Sequence, residues 1–343
     1  MITFHAPGQP GVRLEAPEQC AALVASAVWI DLLEPTPEEE RHLEAALGIE
    51  IPTREEMQAI ELSSRLYEEN GALYMTANVL INAETTAPQS SAVTFVLTGN
   101  TLVTVRYADP APFRAFTKRR ETNLQRFETG VQVLGGILDS VIERVADILE
   151  NVGVELDAIS LRVFEPHSAD TQMPLHKRIG HSRHARSRRS RQRGFAGLLR
   201  RIGAVSDLVS RTRDSLVSFT RLVTFFREVR RESLANREAA AHVKTIVGDL
   251  GALSDHVSFL SSKVSFLLDA TLGMIGNEQN AIIRALSVAA LVFLPPTLVA
   301  GVYGMNFEVM PELKWAHGYP FALALMAIAA VLPYLFFKRK GWL

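Results

Sequence analysis

The alternation of apolar and polar positions along this chain changes period twice, and each change marks a different kind of element. Up to about residue 130 the pattern is short and mixed. Ala72–Leu80 and Val93–Leu97 are rich in β-branched and apolar residues, and Gly99-Asn100 turns the chain into Leu102–Tyr107, which predicts a strand followed by a hairpin. Thr36-Pro37-Glu38-Glu39 has the chemistry of a helix start: the threonine oxygen caps a free amide, the proline fits the first turn and Glu39 reaches back to the cap. Thr53-Arg54-Glu55-Glu56 repeats that signal. An α+β domain with its own core is expected over residues 1–130.

From residue 131 the period becomes helical. Val131, Leu134, Ile137, Leu138, Val141, Ile142, Val145, Ile148 and Leu149 share one face, and no proline lies between Pro174 and Pro295, so residues 131–235 are expected to form long helices. A stricter rhythm starts at Ile246, where Ile246, Leu250, Leu253, Val257, Leu260, Val264 and Leu267 are spaced alternately by four and three. Such a stripe must be buried against another helix. A helix over 236–294 would be on the order of 90 Å long at about 1.5 Å per residue, a stalk that would run on through 303.

Two uncharged runs follow, Ala285–Tyr303 and Tyr319–Phe337, each nineteen residues long. That is close to the ~20 residues needed to cross a bilayer as a helix; the alternative is a pair of buried core helices. Arg284 precedes the first run and Lys338, Arg339 and Lys340 follow the second, whereas Glu308, Glu312 and Lys314 lie between them. Cytoplasmic segments carry the excess of Lys and Arg, so both termini, including the basic tail 338–343, are expected inside, with the loop 304–318 outside.

Charge changes the picture because the formal net charge of -1 is a cancellation: residues 1–175 carry 26 Asp+Glu against 12 Lys+Arg, and residues 176–343 carry 11 against 24. Part of the excess basicity is the topogenic tail, but ten Lys+Arg and no acid fall in the segment 177–201. That segment reads as a solvated helix tip or a flexible connection. Binding to anionic lipid is an alternative, and nucleic acid is not expected, because Phe195 is the one aromatic residue there. The single cysteine, Cys20, excludes an internal disulfide, and the N-terminal sequence lacks the basic start and apolar run of a secretory signal. A phosphate-binding G-x-x-x-x-G-K-[ST] loop and a nucleophile constellation are both missing from the sequence, so no enzymatic activity and no organic cofactor are expected.

Heptad steps back from the end of the first span collect Gly301, Thr297, Leu294, Ala290, Ser287, Ile283 and Asn280 on one face; the same face extends to Asp269 and Asp255. Small and polar residues at membrane depth make either a tight helix contact or a water-filled path. Pro295-Pro296 removes two amide donors and frees the carbonyls of Leu291 and Val292, which protein or water must satisfy. A single pair of spans encloses nothing, so a path would need several copies around an axis.

The segment Tyr303-Gly304-Met305-Asn306-Phe307-Glu308-Val309-Met310-Pro311-Glu312-Leu313-Lys314-Trp315, preceded by LVFLPPTLVAG and followed by a second span and KRKGWL, closely resembles the CorA family of divalent-cation transporters. The resemblance is strong from about Leu267 to Leu343. It implies a funnel-shaped homopentamer in a bacterial-type inner membrane, with the first span lining a central pore. It also implies that Asn306 is the selectivity position, supported by Tyr303, Gly304 and Met305, and that Asn280, Ser287 and Thr297 are polar pore positions. Leu294 and Ile283 would be apolar constrictions, while Glu308, Glu312 and Asp269 would attract cations. Mg²⁺ would be both substrate and regulatory ligand, with Asp249 and Asp255 as candidates for the regulatory carboxylates. Co²⁺ or Ni²⁺ are further expected substrates. The alternatives are a Zn²⁺ transporter of the related zinc-transporting branch and a membrane-anchored signalling scaffold.

Overall fold

The computed structural model describes residues 1–16, 19–85, 87–164, 183–230, 237–305, 315 and 317–340, with the backbone alone for 183–193 and 237. These residues divide into two compact units, Met1–Leu268 and Asp269–Leu343.

The first unit is built on a seven-stranded sheet. Its strands are β1 (Ile2–His5), β2 (Val12–Arg13), β3 (Trp29–Leu33), β4 (Leu66–Glu69), β5 (Ala72–Ile81), β6 (Gln89–Thr98) and β7 (Thr101–Arg106), in the order β2-β1-β3-β7-β6-β5-β4. Every neighbouring pair is antiparallel except β3 and β7. The expected hairpin is β6–β7, closed by Gly99-Asn100, with Gly99 at φ +55°, a value glycine adopts without the strain a Cβ would bring. The pleat sends alternate side chains to opposite faces. One face, with Ile30, Leu32, Tyr74, Val96, Val103 and Val105, packs against Cys20 of α1 (Cys20–Ser26), Leu43 of α2 (Pro37–Leu47) and Met57 of α3 (Arg54–Met57).

Both anticipated caps form. Thr36 Oγ1 accepts from the Glu39 amide while the Glu39 carboxylate accepts from the Thr36 amide, and Thr53 and Glu56 do the same at α3.

The other sheet face is aromatic. Trp29 meets Phe116 of α4 (Ala111–Thr122) edge-on at 5.3 Å, and Phe95 meets Phe113 at 6.2 Å and Phe219 of α6 (Arg183–Val229) at 6.4 Å. Helix α5 (Gly130–Phe164) crosses α4 closely at Gly136, where an added Cβ would lie 2.4 Å from a Phe116 ring carbon. Helix α6 is tied to the sheet by backbone bonds as well: Ser215 Oγ donates to the Asn78 carbonyl at 2.6 Å and the Asn78 amide donates to Ser218 Oγ at 2.9 Å.

Three long helices then pair within this unit. The α5 face predicted from its spacing is buried apart from Val131 and Ile142, which are half-buried. Glu155 of α5 accepts from Arg201 of α6 at 2.6 Å, and Asp157 of α5 accepts from Lys263 of α7 (Arg237–Tyr303) at 2.6 Å. The four-and-three stripe of α7 is its packed edge. Ile246, Leu250, Val257, Leu260, Val264 and Leu267 are buried and Leu253 half-buried. Within the basic segment the backbone is helical from Arg183 onward; 177–182 lie outside the described residues.

The second unit contains the end of α7 and α8 (Gly318–Arg339). Each includes an apolar stretch long enough to span a bilayer, and only 6% of each stretch is buried. Core helices of a soluble protein would be mostly covered, so the buried-helix alternative fails here. Within the apolar run Ala285–Tyr303 the shielded positions of α7 are Val288, Val292, Pro295, Pro296, Val299 and Tyr303, a single stripe at helical spacing. Pro295 and Pro296 sit inside α7 without ending it.

Candidate functional site

The candidate face of α7 lies on its uncovered side, which it shares with Leu286, Phe293 and Leu298. Asn280, Ile283, Ser287, Ala290, Leu294, Thr297 and Gly301 are all exposed in the single chain. At about 3.6 residues per turn they lie roughly opposite the Val288–Tyr303 stripe. The stripe shields one side of the helix within this unit, and the polar and small residues are left on the other.

Apolar exposure on the same face is large: Ile283 is 60% and Leu294 69% exposed. Side chains of that size, uncovered beside Ser287 and Asn280, need either lipid or further protein. Isolated hydroxyls in hydrocarbon are costly, and helices answer by turning them onto their own backbone. Thr297 does so, donating to the Phe293 carbonyl at 2.7 Å. Its oxygen still has acceptor capacity. Among the described hydrogen bonds no comparable back-bond involves Ser287 or Asn280.

Helix α7 closes at the Tyr303-Gly304-Met305 motif. The Gly304 amide donates to the Ala300 carbonyl at 2.9 Å and the Met305 amide to the Val302 carbonyl at 3.3 Å. A Cβ on Gly304 would stand 3.0 Å from the Ala300 oxygen, so the tight last turn favours glycine there. Tyr303 is half-buried, whereas Gly304 and Met305 are exposed. Asn306, Glu308 and Glu312 lie outside the described residues. Before α8, Trp315 packs 5.6 Å from Phe321.

The acidic candidates are dispersed. Asp269 is exposed at the start of the second unit; Asp249 and Asp255 are exposed on the part of α7 that belongs to the first. No group of three or more His, Cys, Asp or Glu side chains among the described residues is placed to hold a metal ion. A dication bound at Asp249 or Asp255 would therefore need ligands beyond these residues of one chain.

Sequence reasoning missed the polar centre of the first unit. Asp31 is held by Arg106 through Nη2 at 2.7 Å and Nε at 3.0 Å and accepts from Thr104 Oγ1 at 2.7 Å, while Trp29 Nε1 donates to Thr104 at 3.0 Å. Nearby, Arg120 donates to the carbonyls of Ala6 and Gln9 and contacts His5 Nδ1 at 3.2 Å. Burial, and then the Arg120 charge, push the His5 pKa down to about 3. The ring is thus neutral and accepts from Arg120. Among the described residues Arg120 Nε alone of these groups is buried without a partner; Asp31, Thr104, Arg106 and Trp29 answer one another, which suits a structural centre better than a binding one. Their signal in sequence is a charge inside a strand, Asp31, whose partner lies 75 residues away.

Residues 24–339 match the family described as "CorA-like Mg2+ transporter protein". The magnesium transport protein CorA of Escherichia coli K12 is 34% identical over 331 residues, covering 96% of each chain. The complete structure of the CorA magnesium transporter from Methanocaldococcus jannaschii aligns with TM-score 0.66 and 18% identity over 100% of this chain and 99% of that one. The cytoplasmic domain of ZntB from Vibrio parahaemolyticus aligns with TM-score 0.53 and 8% identity, over 81% of this chain and 98% of that domain. At those two identities the structural likeness speaks to fold alone.

Proposed function

The chain belongs to the CorA family of Mg²⁺ transporters, and from that premise we propose that it carries Mg²⁺ across a bacterial-type inner membrane through a path lined by the exposed face of α7. The carrying observation is that Asn280, Ser287, Ala290, Thr297 and Gly301 all fall on the uncovered side of α7, opposite its shielded stripe. One copy encloses no path. A ring of copies, five by family resemblance, would bring Asn280, Ser287 and Thr297 to one axis, with Ile283 and Leu294 as apolar rings that gate by excluding water.

Mg²⁺ gives up its water reluctantly and prefers oxygen donors. Asn306 amide oxygens and Gly304 carbonyls at the outer mouth would hold the hydrated ion through its water shell, without a charge to trap it. Glu308 and Glu312 would concentrate cations outside, and Asp269 at the inner mouth. The membrane potential supplies about 2.3 kcal/mol per charge per 100 mV, roughly 4.6 for a dication, so the transport cycle has no need of nucleotide hydrolysis. Both termini face the cytoplasm in this reading. Cytoplasmic Mg²⁺ would close the ring at Asp249 and Asp255 together with carboxylates of a neighbouring copy; loss of shut-off by internal Mg²⁺ in Asp249→Ala and Asp255→Ala supports that role, and normal shut-off removes it.

A Zn²⁺ transporter shares this architecture, but the uncovered face offers hydroxyl and amide groups without His or Cys, which suits Mg²⁺. Co²⁺ and Ni²⁺ are expected as secondary substrates. The purified chain in liposomes carrying a Mg²⁺-sensitive dye tests the proposal. Uptake driven by an inside-negative potential, and reduced at least tenfold in Asn306→Ala, is the expected result. No uptake, or uptake indifferent to Asn306→Ala, leaves a membrane-anchored scaffold as the better reading.

A further inference from the structure

In the first unit a cleft of about 720 Å³ opens between β5, β6 and α6, and three of its lining residues are arginines, Arg54, Arg65 and Arg221. Among the described residues the one acid on its wall is Asp214. Arginines this close are normally answered by carboxylates, and the half of the chain containing the sheet has them in excess, 26 Asp+Glu against 12 Lys+Arg over 1–175. Among the described residues none of the three arginines forms an ion pair.

Arg65 is the most constrained. Its Nη2 donates to Asn78 Oδ1 at 2.6 Å, which fixes the guanidinium, yet its Nε is buried without any hydrogen-bond partner. Burial, and then the like charge of Arg221, lower its pKa. Two guanidiniums are thus held within electrostatic reach of one another, one of them partly desolvated, an arrangement that costs free energy until an anion arrives. Arg54 stands over the Tyr107 ring at 5.3 Å, which positions a third guanidinium at the cleft.

We propose that this cleft binds a phosphate-bearing organic anion, the Arg65 and Arg221 guanidiniums taking the phosphate oxygens and Arg54 the periphery. Guanidinium forks match phosphate bidentately, and three around one cleft favour an anion of more than one charge. The volume lies within the range of small-molecule sites, about 300–1,000 Å³, and exceeds what a bare phosphate would fill. Met57, Ile81 and Val217 add apolar wall for the organic part. The inference does not depend on which cation the chain transports.

The test is calorimetric titration of the full chain in lipid nanodiscs with inorganic phosphate, pyrophosphate, ATP and a short-chain phosphatidic acid. Saturable binding of ATP or the phosphatidic acid, tighter than inorganic phosphate and weakened at least tenfold in Arg221→Gln, is expected; which of the two binds separates a soluble source from a lipid one. Arg65→Gln should act in the same direction. Arg221 is exposed on α6, so its substitution remains informative if Arg65→Gln fails to fold. No binding by any of the four compounds at millimolar concentration, or binding unchanged in Arg221→Gln, overturns the proposal. So does a change of oligomeric state in Arg221→Gln without ligand binding, which would mean that a carboxylate of another copy occupies the cleft.

Discussion

The sheet centre of the first unit and the α7 face of the second satisfy their polar groups in opposite ways. In the first unit, Asp31, Thr104, Arg106 and Trp29 are buried and answer one another, and Thr36 and Thr53 cap the free amides of α2 and α3. In the second, Asn280, Ser287 and Thr297 stand in the open on an apolar helix, next to Ile283 and Leu294. The first arrangement is complete within one chain. The second becomes economical only with more protein or water against it, and that incompleteness is itself the functional signal.

Substitutions that exchange the two behaviours should separate them cleanly. The largest effect is expected from Ser287→Trp, which fills the uncovered face. Mg²⁺ uptake in liposomes should be abolished while the thermal unfolding of the first unit stays unchanged. Asp31→Ala should do the reverse. It leaves the buried Arg106 with Asp109 as its remaining carboxylate partner and should destabilise the first unit by about 1.5–3 kcal/mol, read as a fall in its unfolding midpoint in denaturant.

A smaller, pH-dependent effect belongs to His5. Its folded pKa, about 3, lies below the unfolded 6.5, so the unfolded state takes up a proton first as pH falls. The stability contribution is full above pH 6.5 and is lost progressively down to about pH 3, amounting to about 2 kcal/mol between pH 7 and pH 5. His5→Phe should flatten that part of the pH profile, measured as unfolding midpoint against pH. The smallest effect is Thr36→Ala, which removes a cap worth about 1 kcal/mol and should leave uptake untouched.

Local chemistry made much of this readable in advance. The Gly99-Asn100 hairpin, the Thr36 and Thr53 caps and the four-and-three stripe on α7 are each decided by residues within a few positions of one another, and each forms. Four strands of the sheet, β1, β2, β3 and β4, were not legible. β1 and β4 are four residues each and β2 two, too short to show alternation, and β3 carries a charged residue at a buried position. Asp31 makes sense only beside Arg106, which topology supplies through the parallel β3–β7 pair. The arginine cleft was hidden for the same reason, since Arg65 and Arg221 meet only once α6 lies along the sheet. On α7 the heptad face could be read from sequence, but its exposure could not, because small and polar residues at helical spacing serve a packed contact equally well.

The central claim is that one face of α7 lines the ion path. Leu294 and Phe293 are neighbours with nearly equal exposure in one chain, 69% and 70%, but Leu294 lies on the candidate face and Phe293 about 100° away from it. The native chain has one cysteine, Cys20, which is buried, so introduced thiols can be modified against a quiet background. Mg²⁺ uptake should be blocked by a charged methanethiosulfonate reagent in Leu294→Cys and remain within about twofold of the untreated rate in Phe293→Cys. Equal block at both positions, or block at Phe293→Cys alone, would contradict the claim.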